Sequence, residues 1–123
     1  MARFLFMIGP YPGHLAPTMP IVRKLVEREH EVVWITGRYY SEKVKSTGAR
    51  FHPLPEESDP DGMEIYDFHP KLKELKGLAQ IKYWVKHIFL DSCARDMQTA
   101  ETVLKDFPAD VLVGDTVRYK PIR

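Results

Sequence analysis

The chain is short of three things, and each shortage excludes a class of protein. It has one cysteine in 123 residues, Cys93, so no disulfide can form within it. That excludes a small oxidised scaffold and fits a reducing, cytoplasmic setting. It has almost no net charge: 18 basic against 17 acidic residues leave +1. With no basic field to attract them, neither nucleic acid nor an anionic membrane is expected as a partner. It also has no long apolar run. The first, Phe4 to Ile8, meets Gly9-Pro10 at once and is too short for the core of a secretion signal. Nothing approaches the ~20 residues of a membrane helix. What remains is an ordinary globular composition, 44% apolar and 28% charged, at a length suited to one domain over residues 1–123.

The apolar runs and the punctuation between them predict alternating strands and helices. Arg3 to Ile8 is a nearly continuous apolar run, the pattern of a strand buried on both faces of a parallel sheet. Gly9 to Ala16 reads as a loop, and Pro17 to Arg28 as a helix with Met19, Val22, Leu25 and Val26 on one face. Pro17 and Pro20 would sit in its first turn, where a missing N–H does little harm. Glu31 to Thr36 is a second strand closed by Gly37. Ser41 to Thr47 is a short helix capped by Gly48, and Ala49 to Leu54 a weaker third strand. Pro55 to Pro70, with three prolines and six acids, reads as a surface loop. Leu78 to Lys105 is a long helix with a stripe of Ile81, Val85 and Ile88. Asp110 to Gly114 is a fourth buried strand, and Asp115 to Arg123 a tail of no predicted course.

Long crossovers between these strands call for an α/β fold, a Rossmann-like parallel sheet in the order 3-2-1-4. That order juxtaposes residues far apart in sequence. Strands 1 and 4 become neighbours, and ligands of such sheets bind where the order reverses, beyond the carboxyl ends of the strands. His14 follows strand 1 and Asp115 follows strand 4. An imidazole suits proton transfer near neutral pH, and an adjacent carboxylate can fix its tautomer and balance its positive form. Against this, an isolated loop histidine is commonly a polar loop residue, and an aspartate after a strand a turn former.

Gly13-His14-Leu15-Ala16-Pro17, followed by Ile21 to Val32, resembles the opening of UDP-sugar-dependent glycosyltransferases of the GT-B fold, in particular the macrolide and natural-product enzymes. Ser46-Thr47-Gly48-Ala49-Arg50-Phe51 and Pro108-Ala109-Asp110-Val111-Leu112-Val113-Gly114-Asp115 resemble later stretches of the same family. The resemblance implies an N-terminal, acceptor-binding domain, incomplete here because nothing corresponds to the donor-binding domain, and inactive alone. It implies His14 as the base that deprotonates the acceptor hydroxyl and Asp115 as its partner. It implies inverting hexose transfer with a UDP-sugar as co-substrate, a small-molecule acceptor, and neither cofactor nor metal. Expected acceptor-lining residues are Tyr11, Pro12, Tyr66, Phe68, Trp84, Ile88 and Phe89; for Trp84, Ile88 and Phe89 core packing is the competing role. Two departures stand out: Glu29 where the family has glycine, and Ala109 between Pro108 and Asp110.

Other readings fit less well. A dinucleotide site wants Gly-x-Gly-x-x-Gly after strand 1, but Pro10 and Pro12 remove backbone donors that would cradle a pyrophosphate. A non-catalytic α/β binding module is the alternative of another class. Asp59-Pro60-Asp61-Gly62 has Pro70 where a calcium loop needs its glutamate, so it reads as a turn. His30, His52, His69 and His87 lack metal-ligand spacing, Cys93 reads as packing, and Lys71–Lys76 as a solvated segment. Strand 4, apolar on both faces and at the sheet edge, is expected to promote self-association or to pair with a missing C-terminal half.

Overall fold

The computed structural model describes residues 1–115; of the tail, only Asp115 falls among the described residues. Four parallel strands form one sheet: β1 Arg3–Met7, β2 Glu31–Thr36, β3 Arg50–Pro53 and β4 Val111–Gly114. The expected order is the order found, β3-β2-β1-β4. The helices are α1 Pro12–Glu27, α2 Ser41–Ser46, α3 Ile65–Phe68, α4 Leu78–Tyr83 and α5 Asp91–Asp106, with short 3-10 segments at Arg38–Tyr40, Glu56–Ser58 and Pro70–Glu74.

The strands bury because their side chains alternate between two apolar layers. Phe6, Ile8, Val32 and Trp34 point to one face and pack with Leu15 and Val22 of α1 and Val44 of α2. Leu5, Met7, Val33 and Ile35 point to the other and pack with Ala100 and Val103 of α5 and with Phe107. This is the doubly wound arrangement that long right-handed crossovers produce.

α1 starts earlier than expected. Pro12, rather than Pro17, stands at its opening, and Pro17 and Pro20 lie inside the helix. They are tolerated on its outer side, where both are exposed, as are Gly13 and Ala16, whose carbonyls lose their N–H partners. His14 is therefore a helix residue and not a loop residue. The helix closes in a Schellman motif: Glu29 N–H donates to the Val26 carbonyl at 2.9 Å and His30 N–H to the Leu25 carbonyl at 3.0 Å. Glu29 takes the left-handed position at φ 67, where a glycine would carry no strain.

Further expectations are corrected. The Pro55–Pro70 segment is not all surface, for Ser58, Asp59 and Pro60 are buried. Within Lys71–Lys76 the lysines are exposed but Leu72 is fully buried. The single long helix is three joined pieces, because Trp84–Leu90 between α4 and α5 winds as π-helix. The wider turn rotates the side chains, so Ile81 and Val85 are exposed while Ile88 is buried, and the expected stripe is broken. β4 is also less buried than its apolar run implied: Val111 is 41% and Leu112 49% exposed, because among the described residues β4 has a strand on one side only. Among the described residues, no helix is long and apolar enough to cross a membrane.

Candidate functional site

The site begins with the exit from β1. Ile8 continues the strand by donating its N–H to the Ile35 carbonyl at 3.1 Å. The chain then bends sharply, Tyr11 N–H donating to the Gly9 carbonyl at 2.8 Å, and Pro12 starts α1 where its missing N–H costs nothing. His14 follows in the first turn of the helix. On the neighbouring strand Gly114 lies opposite Met7, so Asp115 leaves the sheet beside Gly9.

His14 Nδ1 lies 2.7 Å from Asp115 Oδ2, and the same oxygen accepts the Gly9 backbone N–H at 2.8 Å. A carboxylate only accepts, so this contact assigns the ring hydrogen to Nδ1 and leaves the lone pair on Nε2. The side chains are 32% and 13% exposed, respectively: the acid is sheltered and the ring is partly open to solvent. Thr18 steadies the turn beneath by donating its hydroxyl to the His14 carbonyl at 2.9 Å. The Tyr11 ring packs edge-on against the imidazole, centroids 5.6 Å apart.

Two details of the exit show why these residues stand there. A Cβ on Gly9 would come within 2.9 Å of Asp115 Oδ2 and 3.1 Å of the Tyr11 ring, so the oxygen reaches the backbone only because that position is bare. The first turn of α1 contains no acid, and Tyr11 supplies no side-chain cap. The positive end of the helix dipole therefore opposes a positive imidazole in this turn. Asp115 brings in, from the end of β4, the negative charge that the helix does not carry.

Two grooves lie nearby, and only the first has His14 and Asp115 in its lining. One, of about 540 Å³, runs between α1 and β4 over Phe4, Phe6, Ile8, Ile21 and Val113 and reaches His14, Thr18 and Asp115 at its upper end. Its floor is sheet face, the kind of surface that a further helix covers in a doubly wound fold. The other, of about 380 Å³, lies over the carboxyl ends of β1 and β2. Pro10, Tyr11 and Pro12 form one wall, Tyr39, Tyr40, Pro60, Gly62 and Met63 the other, with Glu64, Ile65 and Trp84 completing it. This second groove lies at the carboxyl ends of the strands, the end of such sheets that takes ligands. It sits on the β2 side of β1, whereas the first groove reaches the β1–β4 switch point. Burial, and next the neighbouring Tyr39, raise the pKa of Tyr40, so its hydroxyl keeps its proton.

Of the residues expected to line an acceptor, Tyr11, Pro12 and Trp84 are brought together in this groove. Tyr66 and Phe68 lie on α3, outside the groove lining, with Tyr66 exposed. Ile88 is buried, and Phe89 packs against Trp84 at 5.8 Å between ring centroids. Sequence reasoning missed the Gly9 N–H, Thr18 and the wall of Tyr39 and Tyr40. Gly9, directly after an apolar strand, was the available signal; the tyrosines carried none. Among the described residues no three His, Cys, Asp or Glu side chains gather to hold a metal ion.

No family profile matches the chain. Individual proteins do. It is 37% identical over 114 residues to the 4'-demethylrebeccamycin synthase of Lentzea aerocolonigenes, a match covering 93% of this chain and 27% of that one. It is 31% identical over 113 residues to UDP-glucosyltransferase B1 of Starmerella bombicola, covering 88% of this chain and 26% of the relative. Among solved structures, the calicheamicin glycosyltransferase CalG4 aligns with a TM-score of 0.72 at 22% identity, over 94% of this chain and 27% of the other. The glycotransferase of kitacinnamycin aligns with a TM-score of 0.70, also at 22% identity, over 96% and 26%. At that identity the structures speak for the fold and the two sequence relatives for kinship. Fold and kinship together describe a Rossmann-like α/β domain that is similar to part of known glycosyltransferases. More narrowly, the chain is a relative of the UDP-glucosyltransferases that spans about a quarter of the length of the curated proteins it matches.

Proposed function

We propose that the chain is the acceptor-binding front part of an inverting glycosyltransferase that moves a hexose from a UDP-sugar to a hydroxyl of a small molecule. The observation that carries this reading is the 2.7 Å contact of His14 Nδ1 with an Asp115 oxygen already held by Gly9. It leaves Nε2 as the basic nitrogen near the carboxyl end of the sheet.

The acceptor lies in the groove between Tyr11 and Tyr39, with its hydroxyl toward His14. Nε2 takes the hydroxyl proton as the oxygen attacks the anomeric carbon. The new C–O bond forms on the face opposite the breaking bond to UDP, and UDP leaves with that electron pair. Asp115 balances the imidazolium through Nδ1–H. A short, proline-stiffened turn suits a base that must be placed accurately. The UDP-sugar is held chiefly by a donor domain outside this sequence, so the chain alone transfers no sugar.

The test is a full-length form carrying this chain at its front, assayed with UDP-glucose and a panel of phenolic and macrolide acceptors. His14→Ala lowers kcat by roughly 10²–10⁴-fold, the range of a general base, with acceptor affinity little changed. Near-normal turnover by His14→Ala on a hydroxyl acceptor removes His14 from the mechanism. The 123-residue chain alone should show no turnover above its own His14→Ala control.

A further inference from the structure

A second polar cluster, away from His14, is built like the interior of a site. The Asp59 side chain is 0% exposed, and Arg38 Nη1 donates to its Oδ2 at 2.9 Å from a side chain that is 41% exposed. The Arg38 backbone N–H donates to the same oxygen at 3.0 Å, and the Asp61 N–H donates to Oδ1 at 2.9 Å. Gly37 gives the carboxylate room: a Cβ there would meet Asp59 Oδ1 at 2.8 Å and Pro10 Cβ at 2.7 Å. One buried carboxylate thus fastens the loop after β2 to the loop after β3, and Gly37 abuts the turn that leads to His14.

A buried ion pair is a weak means of stabilisation, since apolar residues of similar volume often do as well. What an ion pair with directed hydrogen bonds supplies is position. The two fastened loops carry a whole wall of the smaller groove, Tyr39 and Tyr40 following Arg38, and Pro60, Gly62 and Met63 following Asp59. We propose that Arg38 and Asp59 are positioning residues that hold this wall at its distance from Tyr11 and Pro12, and so set acceptor affinity. They touch no reacting atom. This role rests on the groove being the acceptor site. The wall they hold is aromatic and apolar, suited to the flat face of an aromatic alcohol.

Equilibrium dialysis of 4-methylumbelliferone, a planar aromatic alcohol, against the 123-residue chain and its variants tests the role. Arg38→Gln leaves Asp59 its two backbone donors, and unchanged exchange in β1 and β2 shows that the fold is kept, whereas Asp59→Asn tests the buried end. Arg38→Gln should raise the probe's Kd several-fold, and Arg38→Lys should recover part of the loss. Amide hydrogen exchange at Asp61 and Met63 should accelerate in Arg38→Gln, with exchange in β1 and β2 unchanged. Equal probe affinity in wild type, Arg38→Gln and Asp59→Asn overturns the positioning role, whatever happens to exchange, and leaves the acceptor groove standing. A wild-type chain that does not bind the probe overturns the acceptor-groove reading and this role with it.

Discussion

Replacing Asp115 by asparagine separates two things the carboxylate does, and the structure assigns a size to each. Gly9 N–H and His14 Nδ1–H converge on one oxygen, Oδ2. In Asp115→Asn the amide oxygen can take that place and satisfy both donors. The alternative rotamer would put an NH₂ against the Gly9 N–H, so it is disfavoured. The imidazole therefore keeps its tautomer, and what is lost is charge. A pair of unit charges 4 Å apart interacts by about 4 kcal/mol at an effective dielectric of about 20. The imidazole is a third exposed and screened by water, so roughly 1.5–3 kcal/mol of the interaction remains to stabilise the imidazolium as it forms. At about 1.36 kcal/mol per decade this predicts a fall in kcat of roughly 10- to 10²-fold. A tautomer switch would cost about 10⁴-fold, the loss typical of a mis-set histidine in a hydrolase triad. The assay is single-turnover transfer from UDP-glucose in a full-length form, with Asp115→Asn, Asp115→Ala and His14→Ala compared. The alanine variant of Asp115 should be the worse of the two, because it also frees the Gly9 N–H. If Asp115→Asn is as damaging as His14→Ala, the shared oxygen does not set the tautomer in the way its two donors require.

Other expectations follow from single features. Relieving the left-handed Cβ at Glu29 gains roughly 1–2 kcal/mol, glycine's freer unfolded chain takes back roughly 0.4–1, and Glu29→Gly should therefore raise stability by about 0.5–1 kcal/mol in urea unfolding; a lower midpoint would contradict the strain. Burial first, then His87 and Arg95, lowers the pKa of His69 in the folded chain. The unfolded chain then binds that proton more tightly, so stability should be level well above the ordinary histidine value and fall as pH drops below about 6.5. Urea titrations at about pH 7.5 and pH 5, on either side of that value, test this, and a His69→Gln variant with an undiminished acid loss would count against it. The open β4 edge, with Val111 and Leu112 exposed, should make the chain self-associate as concentration rises. Light scattering should show wild type growing beyond a monomer and Leu112→Lys remaining one; a wild type that stays monomeric at high concentration would show that the edge is covered.

The sheet was legible because its signals are local and agree with one another. Three of the strands are short apolar runs ended by glycine, the weaker third is ended by proline, and the crossovers between them are long, which leaves few topologies. The boundaries that failed did so for physical reasons. Proline at the first helical position is a strong start signal, but α1 has three prolines near its start. The pattern does not say that Pro12 opens the helix while Pro17 and Pro20 lie on its solvent side. The π-wound stretch Trp84–Leu90 was invisible because a stripe search assumes ~3.6 residues per turn throughout. Asp59 reads as a turn residue because its partner, Arg38, is 21 positions away and joined to it only by the fold.

The His14–Asp115 pair was legible for a different reason: its two members are 101 positions apart, yet strand order alone makes them neighbours. Topology brought the residues together but could not say how they would be joined. Placing His14 in a loop makes Asp115 an accessory. Placing it in the first turn of α1 gives the acid a reason to be there, because that turn has none and its dipole opposes a positive charge on the ring. An acid within the same turn would also have met the helix's need, but it would have been free to cap the helix instead of holding the ring. Coming from the end of β4 and tied to Gly9, Asp115 is held by the sheet, so the orientation of the imidazole depends on the registry of β1 with β4 rather than on the helix that carries it.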